Sequence, residues 1–247
     1  TSPSALVKII SASGITSKDT VLEIGPGKGF LTEGLLETTA RVIAVEKDAD
    51  LIPFLREKFK KECYEKVLHV VHEDALSFSR ETHGLKEGSF VLVANIPYYI
   101  TGALLKRFIG KAPRPKRAVL MLQKEVAERI VARNKKESIL SIAIKIYGTP
   151  RIVARVPRGS FTPKPNVDSA ILVIENIKTP FQNKNTEEKF FTIIKLGFSH
   201  KRKKLSGNLR SLWGNKTETY LEKSGIPPNE RAEDVSIAQW LTLSKIS

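Results

Sequence analysis

The sequence predicts an α/β protein with a doubly wound, Rossmann-like sheet, followed by a small all-helical domain. Apolar runs of strand length alternate with helical patterns through the first two-thirds of the 247 residues. This alternation is typical of a parallel sheet with helices on both faces. Two more strand-like runs follow close together and predict an antiparallel hairpin at one sheet edge. After residue 188 the pattern is helical, without a strand candidate.

The elements follow from these patterns in chain order. Ser2 and Pro3 are typical of a helix N-cap and first helical position. The parallel strands, joined by right-handed crossovers, are predicted at Thr20–Ile24, Arg41–Glu46, 67–71, 89–95 and 117–122. Helices are predicted at residues 29–37, 48–61, 101–110, 123–133 and 139–147, and the hairpin strands at 151–156 and Ser169–Glu175. Residues 178–188 are polar and predict a linker, which gives two domains, 1–178 and 179–247.

The composition indicates a polyanionic partner. The chain has 41 Lys and Arg against 26 Asp and Glu, a formal net charge of +15. Such an excess favours nucleic acid over a membrane surface, and no apolar run reaches the ~20 residues of a membrane span. Cys63 is the only cysteine, so no intramolecular disulfide can form, as is typical of the cytoplasm. The histidines are scattered, so we expect no metal site, and we expect a cytoplasmic monomer.

A glycine-rich turn follows the first predicted strand. Gly25, Gly27 and Gly29 sit where a strand turns into a helix, and glycine lets a ligand approach the backbone. The free N–H groups of the helix start would face that ligand. The spacing is G-x-G-x-G, which differs from the dinucleotide pattern G-x-G-x-x-G. We interpret the turn as a binding site for the carboxylate of S-adenosylmethionine, although an ordinary tight turn would also use these glycines.

Acidic residues at the next two strand ends favour the same cofactor. Glu46 ends the second strand and can accept hydrogen bonds from both ribose hydroxyls. Asp74 follows the third strand and can accept from the adenine amine of the cofactor, while the Ala75 backbone contacts the ring edge. Solvated acids at strand ends are the alternative interpretation. The predicted cofactor-binding residues are Glu23, Gly25, Gly27, Gly29, Glu46, Lys47, Asp74, Ala75 and Asn95.

The run Asn95-Ile96-Pro97-Tyr98 follows the fourth strand and predicts the chemistry. An adenine amine is a poor nucleophile, and acceptors must draw its N–H bonds out of the base plane. The Asn95 side-chain oxygen can be one acceptor, and a carbonyl at Ile96 or Pro97 another. Tyr98 can stack on the base, with Phe161 as a second stacking face. A plain turn and core packing are the alternatives, and the predicted catalytic residues are Asn95, Pro97, Tyr98 and Phe161.

Basic clusters of the kind that contact phosphates occur at three places. The predicted RNA-binding residues are Arg114, Lys116, Lys124, Arg129, Arg133, Lys201, Arg202, Lys203 and Lys204, and the clusters also include His200, Arg210, Arg117, Lys135 and Lys136. Solvated helix faces are the alternative interpretation of such runs.

The chain resembles the bacterial small-subunit (16S) ribosomal RNA adenine dimethyltransferases nearly from end to end. The resemblance rests on Val21-Leu22-Glu23-Ile24-Gly25-Pro26-Gly27, Asn95-Ile96-Pro97-Tyr98, Leu122-Gln123-Lys124-Glu125-Val126, the stretch from Phe161-Thr162-Pro163-Lys164-Pro165 to Ala170, Arg202-Lys203, and Arg231-Ala232-Glu233-Asp234-Val235-Ser236. The glycine turn is shared by many methyltransferases, whereas the stretches at 161–170 and 231–236 are more specific.

The resemblance implies a seven-stranded methyltransferase sheet and a small helical domain. It implies S-adenosylmethionine as cofactor, transfer of two methyl groups to N6 of each of two adjacent adenosines, and a role in small-subunit biogenesis. It also places the target base between Tyr98 and Phe161. Two departures are the family's Gln-Asn-Phe-Leu segment, which would precede Thr1 and border the pocket, and the absence of Tyr-Gly near residues 135–139. Thr1 is not an initiator Met, so we expect that the true start of the protein is missing or processed.

Three alternatives remain at this point. A large-subunit ribosomal RNA adenine methyltransferase that confers antibiotic resistance would share the site, but the long helical domain favours the small-subunit class. A DNA adenine methyltransferase would need a target-recognition insertion, which the sequence lacks. A non-catalytic ribosome assembly or transcription factor could use the same scaffold, but the intact Glu46, Asn95 and Tyr98 argue against it.

Overall fold

The computed structural model of the chain describes residues 3–38, 41–95, 100–161 and 164–246. Its centre is a seven-stranded sheet with the strand order β3-β2-β1-β4-β5-β7-β6. The strands are β1 (Thr20–Ile24), β2 (Arg41–Glu46), β3 (Leu68–His72), β4 (Phe90–Asn95), β5 (Arg117–Gln123), β6 (Thr149–Val156) and β7 (Ser169–Glu175). Neighbours among the first five run parallel, and β7 runs antiparallel to β5 and β6. The predicted fold class and the edge hairpin are therefore confirmed.

Apolar residues cover both faces of the sheet. Val21, Ala44 and Val93 lie on one face in a buried cluster, which includes residues of helices α1 (Pro3–Ser13), α2 (Phe30–Leu36) and α3 (Leu51–Lys58). Because side chains alternate along a strand, the intervening Leu22, Ile43 and Leu92 point to the opposite face, where they are also buried. The central strands are thus apolar on both sides, as parallel strands under two helical layers must be.

Strand order creates the crevice in which open α/β sheets bind ligands. The chain runs from β1 outwards to β2 and β3, then returns to lay β4 on the other side of β1. The strand order therefore reverses between β1 and β4, and ligands bind outside the carboxyl ends of strands at such a point. The loop after β1 and the end of β4 border this crevice. The remaining helices of this half are α4 (Lys60–Tyr64), α5 (Thr101–Phe108) and α6 (Lys124–Val131).

Contacts divide the chain into two compact units. The first contains residues 1–128 and 148–178, and the second contains 129–147 and 179–247. The predicted domain 1–178 included residues 129–147, but these pack with the second unit. One reason is a backbone bond from the Glu137 N–H to the Glu233 carbonyl, 2.7 Å long. Lys136 also forms ion pairs with Glu233 and Asp234.

All regular secondary structure in the described residues of the second unit is helical. Its helices are α7 (Ile139–Lys145), α8 (Lys184–Gly197), α9 (Leu205–Trp213), α10 (Thr217–Lys223) and α11 (Ile237–Ile246). Phe190, Leu209 and Trp240 are fully buried in its core. Asn183 caps α8 reciprocally with Thr186, so this helix begins inside the stretch predicted as a linker. A capping side chain stabilises a helix start by about 1 kcal/mol.

A second boundary differs from the predicted one. The pattern over residues 48–61 predicts one helix, but the backbone leaves helical geometry at Phe59, which separates α3 from α4. Gly29 explains the position of this break. A Cβ atom at Gly29 would lie 2.5 Å from the Phe59 ring, so the ring occupies the space that the missing side chain leaves.

Gly29→Ala should destabilise the protein more than Gly27→Ala does. Both glycines have a left-handed backbone, with φ of 76° and 57°, and alanine there costs roughly 1–2 kcal/mol. Only the Cβ of Gly29 would also collide with Phe59, whereas that of Gly27 meets nothing within 4 Å. Overpacking adds about 1–3 kcal/mol. Urea unfolding of both variants measures the difference, and equal losses would contradict this packing.

Candidate functional site

Four strand ends bring the predicted cofactor residues to one edge of the sheet. The pairing aligns Ile24 of β1 with Val45 on one side and with Ala94 on the other. The residues that follow, Gly25, Glu46 and Asn95, are therefore neighbours at the carboxyl edge. The Gly25 N–H donates to the Val45 carbonyl at 2.9 Å, and a Cβ on Gly25 would lie 3.9 Å from the Asn95 carbonyl oxygen.

The Glu46 carboxylate holds the glycine turn onto the end of β2. Its Oε2 accepts the Gly27 N–H at 3.0 Å, and its Oε1 accepts the N–H groups of Lys47 at 2.8 Å and Asp48 at 2.9 Å. A carboxylate has about four acceptor sites, so three bonds leave room for about one more donor. Glu46 was expected to accept two ribose hydroxyls. In this geometry it has capacity for one without losing a backbone partner.

Asp74 is an anion fixed beside the same edge. The Lys47 ammonium donates to its Oδ2 at 2.7 Å, and the Leu76 N–H donates to its Oδ1 at 2.8 Å. The bond from Lys47 and then the Leu76 N–H lower the pKa of Asp74, so this carboxylate stays ionised at neutral pH. Ala75, which follows it, is buried. The structure thus brings Lys47, Asp74 and Glu46 together, as the sequence predicted.

Glu23 is the unusual group at this edge. Its residue is 1% exposed, and neither carboxyl oxygen has a hydrogen-bond partner among the described residues. The Thr32 hydroxyl is a polar neighbour, but it also lacks a partner in bonding geometry. Burial raises the pKa of Glu23 to about 8; Thr32 acts in the opposite direction, and the charge of Glu46 adds to the rise. A carboxyl in this environment holds a proton at neutral pH.

Asn95 is the described part of the predicted catalytic run. It ends β4, opposite Met121 of β5, and it is exposed at the carboxyl edge. No other described residue hydrogen-bonds to its side-chain amide in the way that partners hold Asp74 and Glu46. Pro97 and Tyr98 lie outside the described residues, so their predicted roles stay predictions.

Phe161 is half-buried and packs against the apolar cluster on the face of α1, α2 and α3. Asp168, to which the sequence analysis gave no role, accepts hydrogen bonds from the backbone of Arg158 and Lys124. The Asp168 Oδ1 accepts the Arg158 N–H at 2.9 Å, and its carbonyl accepts the Lys124 N–H at 3.0 Å. An aspartate at a loop end is typical of such backbone capture, but a partner ten residues away leaves no local pattern to find it by.

Two residues predicted to contact phosphates, Arg114 and Lys116, have partners within the protein. The Arg114 side chain is 8% exposed; it donates to the carbonyls of Ile109 and Gly110 and pairs with Glu87 at 3.1 Å. Lys116 pairs with Asp19. Burial with three partners gives no support to the predicted contact of Arg114 with RNA, and that contact stays a prediction. Arg117 is similarly engaged, with Glu175 at 2.6 Å.

A basic turn, defined here as residues 200–204, precedes α9 in the helical unit. Lys201, Arg202 and Lys203 are exposed, and none forms a side-chain ion pair with any described residue. Lys204 donates to Asn229. Buried Asn208 fixes the turn, since its Nδ2 donates to the carbonyls of Gly197 at 2.6 Å and His200 at 3.2 Å. Sequence analysis missed Asn208 because one asparagine within a helical pattern carries no distinctive signal.

The third predicted cluster is divided. Arg129 and Arg133 are exposed, whereas Lys124 is half-buried at the start of α6. Lys136 is occupied by its pairs with Glu233 and Asp234.

In the part of the chain that the structure describes, no helix is long and apolar enough to cross a bilayer, and no three His, Cys, Asp or Glu side chains group as metal ligands.

The wild-type protein should become less stable as the pH rises, and the Glu23→Gln variant should not show this loss of stability. The usual pKa of 4.5 applies to the unfolded chain and a value of about 8 to the folded one. Below pH 4.5 both states carry the proton; above it the unfolded carboxyl ionises first, so wild type loses about 1.4 kcal/mol per pH unit until about pH 8. Urea unfolding from pH 4 to 8.5 measures the slope. Exposed Glu57→Gln controls for the lost charge, and equal slopes in wild type and Glu23→Gln would contradict the neutral carboxyl.

Comparison with known proteins identifies the family. The chain matches the family described as ribosomal RNA adenine dimethylase over residues 1–247. It is 40% identical over 245 residues to ribosomal RNA small subunit methyltransferase A of Dehalococcoides mccartyi, covering 98% of this chain and 83% of that protein. The protein of the same name from Fusobacterium nucleatum is 42% identical over 246 residues, covering 98% and 91%.

Two solved structures share the whole architecture. A dimethyladenosine transferase from Plasmodium falciparum has a TM-score of 0.79 and 29% identity, covering 98% of this chain and 94% of that one. The 23S rRNA methyltransferase ErmE has a TM-score of 0.79 and 26% identity, covering 99% and 97%. The full-length family match and these relatives agree with the carboxyl-edge site, and the chain belongs to the ribosomal RNA adenine dimethylase family.

Proposed function

We propose that this protein transfers methyl groups from S-adenosylmethionine to N6 of two adjacent adenosines in small-subunit (16S) ribosomal RNA, two to each. The observation that carries the proposal is the arrangement of the carboxyl edge. The glycine turn, Glu46, Asp74 and exposed Asn95 lie at the carboxyl ends of four neighbouring strands, β1, β2, β3 and β4, and the family supplies the reaction class. Such modification would accompany small-subunit biogenesis. The cytoplasmic location and the monomeric state stay predictions.

The residues at this edge fit the cofactor. Gly27 has left-handed backbone and open space where a Cβ would stand, so a ligand can approach the turn closely. Glu46 retains acceptor capacity for a ribose hydroxyl, and Asp74 is an ionised acceptor for an exocyclic amine. When bound, S-adenosylmethionine supplies a methyl group activated by a sulfonium charge. The protein's own task is therefore to hold donor and acceptor in line.

Asn95 is the residue we assign to the target amine. Its exposed amide oxygen can accept a hydrogen bond from one N–H group of the adenine amine. This bond would draw the lone pair of the amine nitrogen out of conjugation with the ring. No described carboxylate or imidazole needs to act as a strong base, because the amine loses its proton after the N–C bond forms. Tyr98 and Phe161 remain the proposed stacking faces, and a base must leave its stack to reach them.

Sequence identity to the named relatives favours small-subunit ribosomal RNA as the substrate. The two relatives named for small-subunit RNA are 40% and 42% identical to this chain, whereas the 23S enzyme ErmE is 26% identical. The large-subunit alternative therefore has weaker support. A purely non-catalytic assembly role would leave the exposed Asn95 and the open Gly27 unused.

Asn95→Ala should reduce methyl transfer about 10²- to 10³-fold at saturating RNA, the size of effect that removal of one oriented polar group has in other active sites. The amide is exposed, so the variant should melt at the temperature of wild type. Single-turnover transfer to partly assembled small subunits measures the rate, and filter binding measures RNA affinity as a control. A rate near that of wild type would remove Asn95 from the reaction.

Charge reversal of Lys201, Arg202 and Lys203 to Glu should weaken RNA binding at least tenfold and flatten its salt dependence, because each lost phosphate contact reduces counterion release. A matched control reverses three exposed lysines at the opposite, amino edge of the sheet: Lys18, Lys86 and Lys178. Both variants change the net charge equally. Equal losses of affinity would show that overall charge, and not the basic turn, governs binding.

A further inference from the structure

Within the described part of the chain, Glu23 has no hydrogen-bond partner that accounts for its presence. It lies in β1 with Ala44 and Val93 beside it on the neighbouring strands, and it shares their apolar face. Both its oxygens and the hydroxyl of Thr32 lack hydrogen bonds among the described residues. An apolar residue of similar size would avoid the cost of a buried polar group. The position of Glu23, two residues before Gly25, places this unsatisfied carboxyl below the turn that we assign to the cofactor.

We propose that Glu23 selects the positively charged methyl donor over its uncharged product, by releasing its proton when the donor binds. The inference rests on the proposed function, since it takes S-adenosylmethionine as the donor. The donor carries a sulfonium, an ammonium and a carboxylate, a net charge of +1. The thioether product keeps the ammonium and the carboxylate and has no net charge. The two ligands thus differ in one methyl group and one charge.

Among the residues that the structure describes, no cation acts on Glu23. The groups that act on it are Thr32 of α2 and Glu46 of β2, and the nearer charge is negative. Glu46 accepts three backbone N–H groups, and its charge opposes ionisation of Glu23. Burial and this anion raise the pKa of Glu23 to about 8. The free protein therefore holds Glu23 neutral at pH 7.

A bound positive charge reverses that balance. In a medium of effective dielectric about 20, a unit charge about 10 Å away changes a pKa by roughly one unit, so direct contact is not required. Glu23 then loses its O–H bond, and the proton passes to water. After methyl transfer breaks the C–S bond and forms the N–C bond, the sulfur is uncharged, and Glu23 takes a proton back from water. The target amine releases its own proton to solvent.

Calorimetry on the wild-type protein provides the first test. Titrations of S-adenosylmethionine and S-adenosylhomocysteine in buffers of different ionisation enthalpy give the protons released on binding. A one-unit shift from a pKa of about 8 predicts about half a proton more for the donor at pH 7.5. The α-amino groups of the two ligands differ in pKa, because only the donor carries the sulfonium close to its own amino group. Titration of each ligand without protein gives the proton that its amino group takes up on binding, and this contribution is subtracted. Equal proton release with both ligands would overturn the proposal.

Glu23→Gln provides the second test, because it keeps the shape and removes the ionisation. In wild type the ratio of donor to product affinity should rise about fivefold between pH 6 and 8. In Glu23→Gln the ratio should stay constant, while product affinity changes little. Exposed Glu57→Gln on α3 is the matched control and should retain the rise. A rise that persists in Glu23→Gln would overturn the assignment of the charge preference to Glu23.

Two other outcomes are distinguishable. If the wild-type protein binds neither ligand, the proposed cofactor is wrong, and this inference is wrong with it. If Glu23→Gln fails to fold, the proton count on wild-type protein still decides. Binding of both ligands with equal affinity at every pH would leave the proposed function intact and refute the role of Glu23.

Discussion

The Glu46 carboxylate accepts three backbone N–H groups and so links the glycine turn to the end of β2. It accepts N–H groups from the glycine turn after β1 and from the two residues that follow β2. Hydrogen bonds to a charged group contribute about 1.5–3 kcal/mol each, so the turn is held before any ligand arrives. The same exit from β2 directs Lys47 towards Asp74. One carboxylate therefore holds both the glycine turn and the segment from which Lys47 reaches the acid after β3.

Regular patterns made the sheet predictable, because strand alternation, glycine at a βα turn and helical periodicity are local signals. All seven strands and the edge hairpin followed from them. The break at Phe59 did not, since it reflects a ring that fills the space beside Gly29, thirty residues earlier. The grouping of residues 129–147 with the helical unit depends on Lys136 and Glu137 meeting Glu233 and Asp234, a contact between distant segments that no local pattern encodes.

The charge count overestimated the cations available for RNA. Arg80 is buried and donates to the carbonyls of Arg107, Lys111 and Ala112, and Arg114 is held in the same way. A guanidinium with five donors suits such backbone capture as well as phosphate binding, so sequence alone cannot separate the two uses. The basic turn differs because Asn208 fixes its backbone and leaves the side chains in solvent. Fixed backbone lowers the entropy lost when these side chains order on a polyanion.

Glu23 and Glu46 are two carboxyls at the ends of one pair of strands, and their surroundings separate their roles. Three N–H groups donate to the Glu46 carboxylate, while burial raises the pKa of Glu23 to about 8. Buried acids with a displaced pKa are a recurring feature of functional sites. The charge of Glu46 is a further cause of the raised pKa of Glu23. A cation bound at this edge adds the opposite charge, so the protonation of Glu23 responds to the ligand while the scaffold around Glu46 does not.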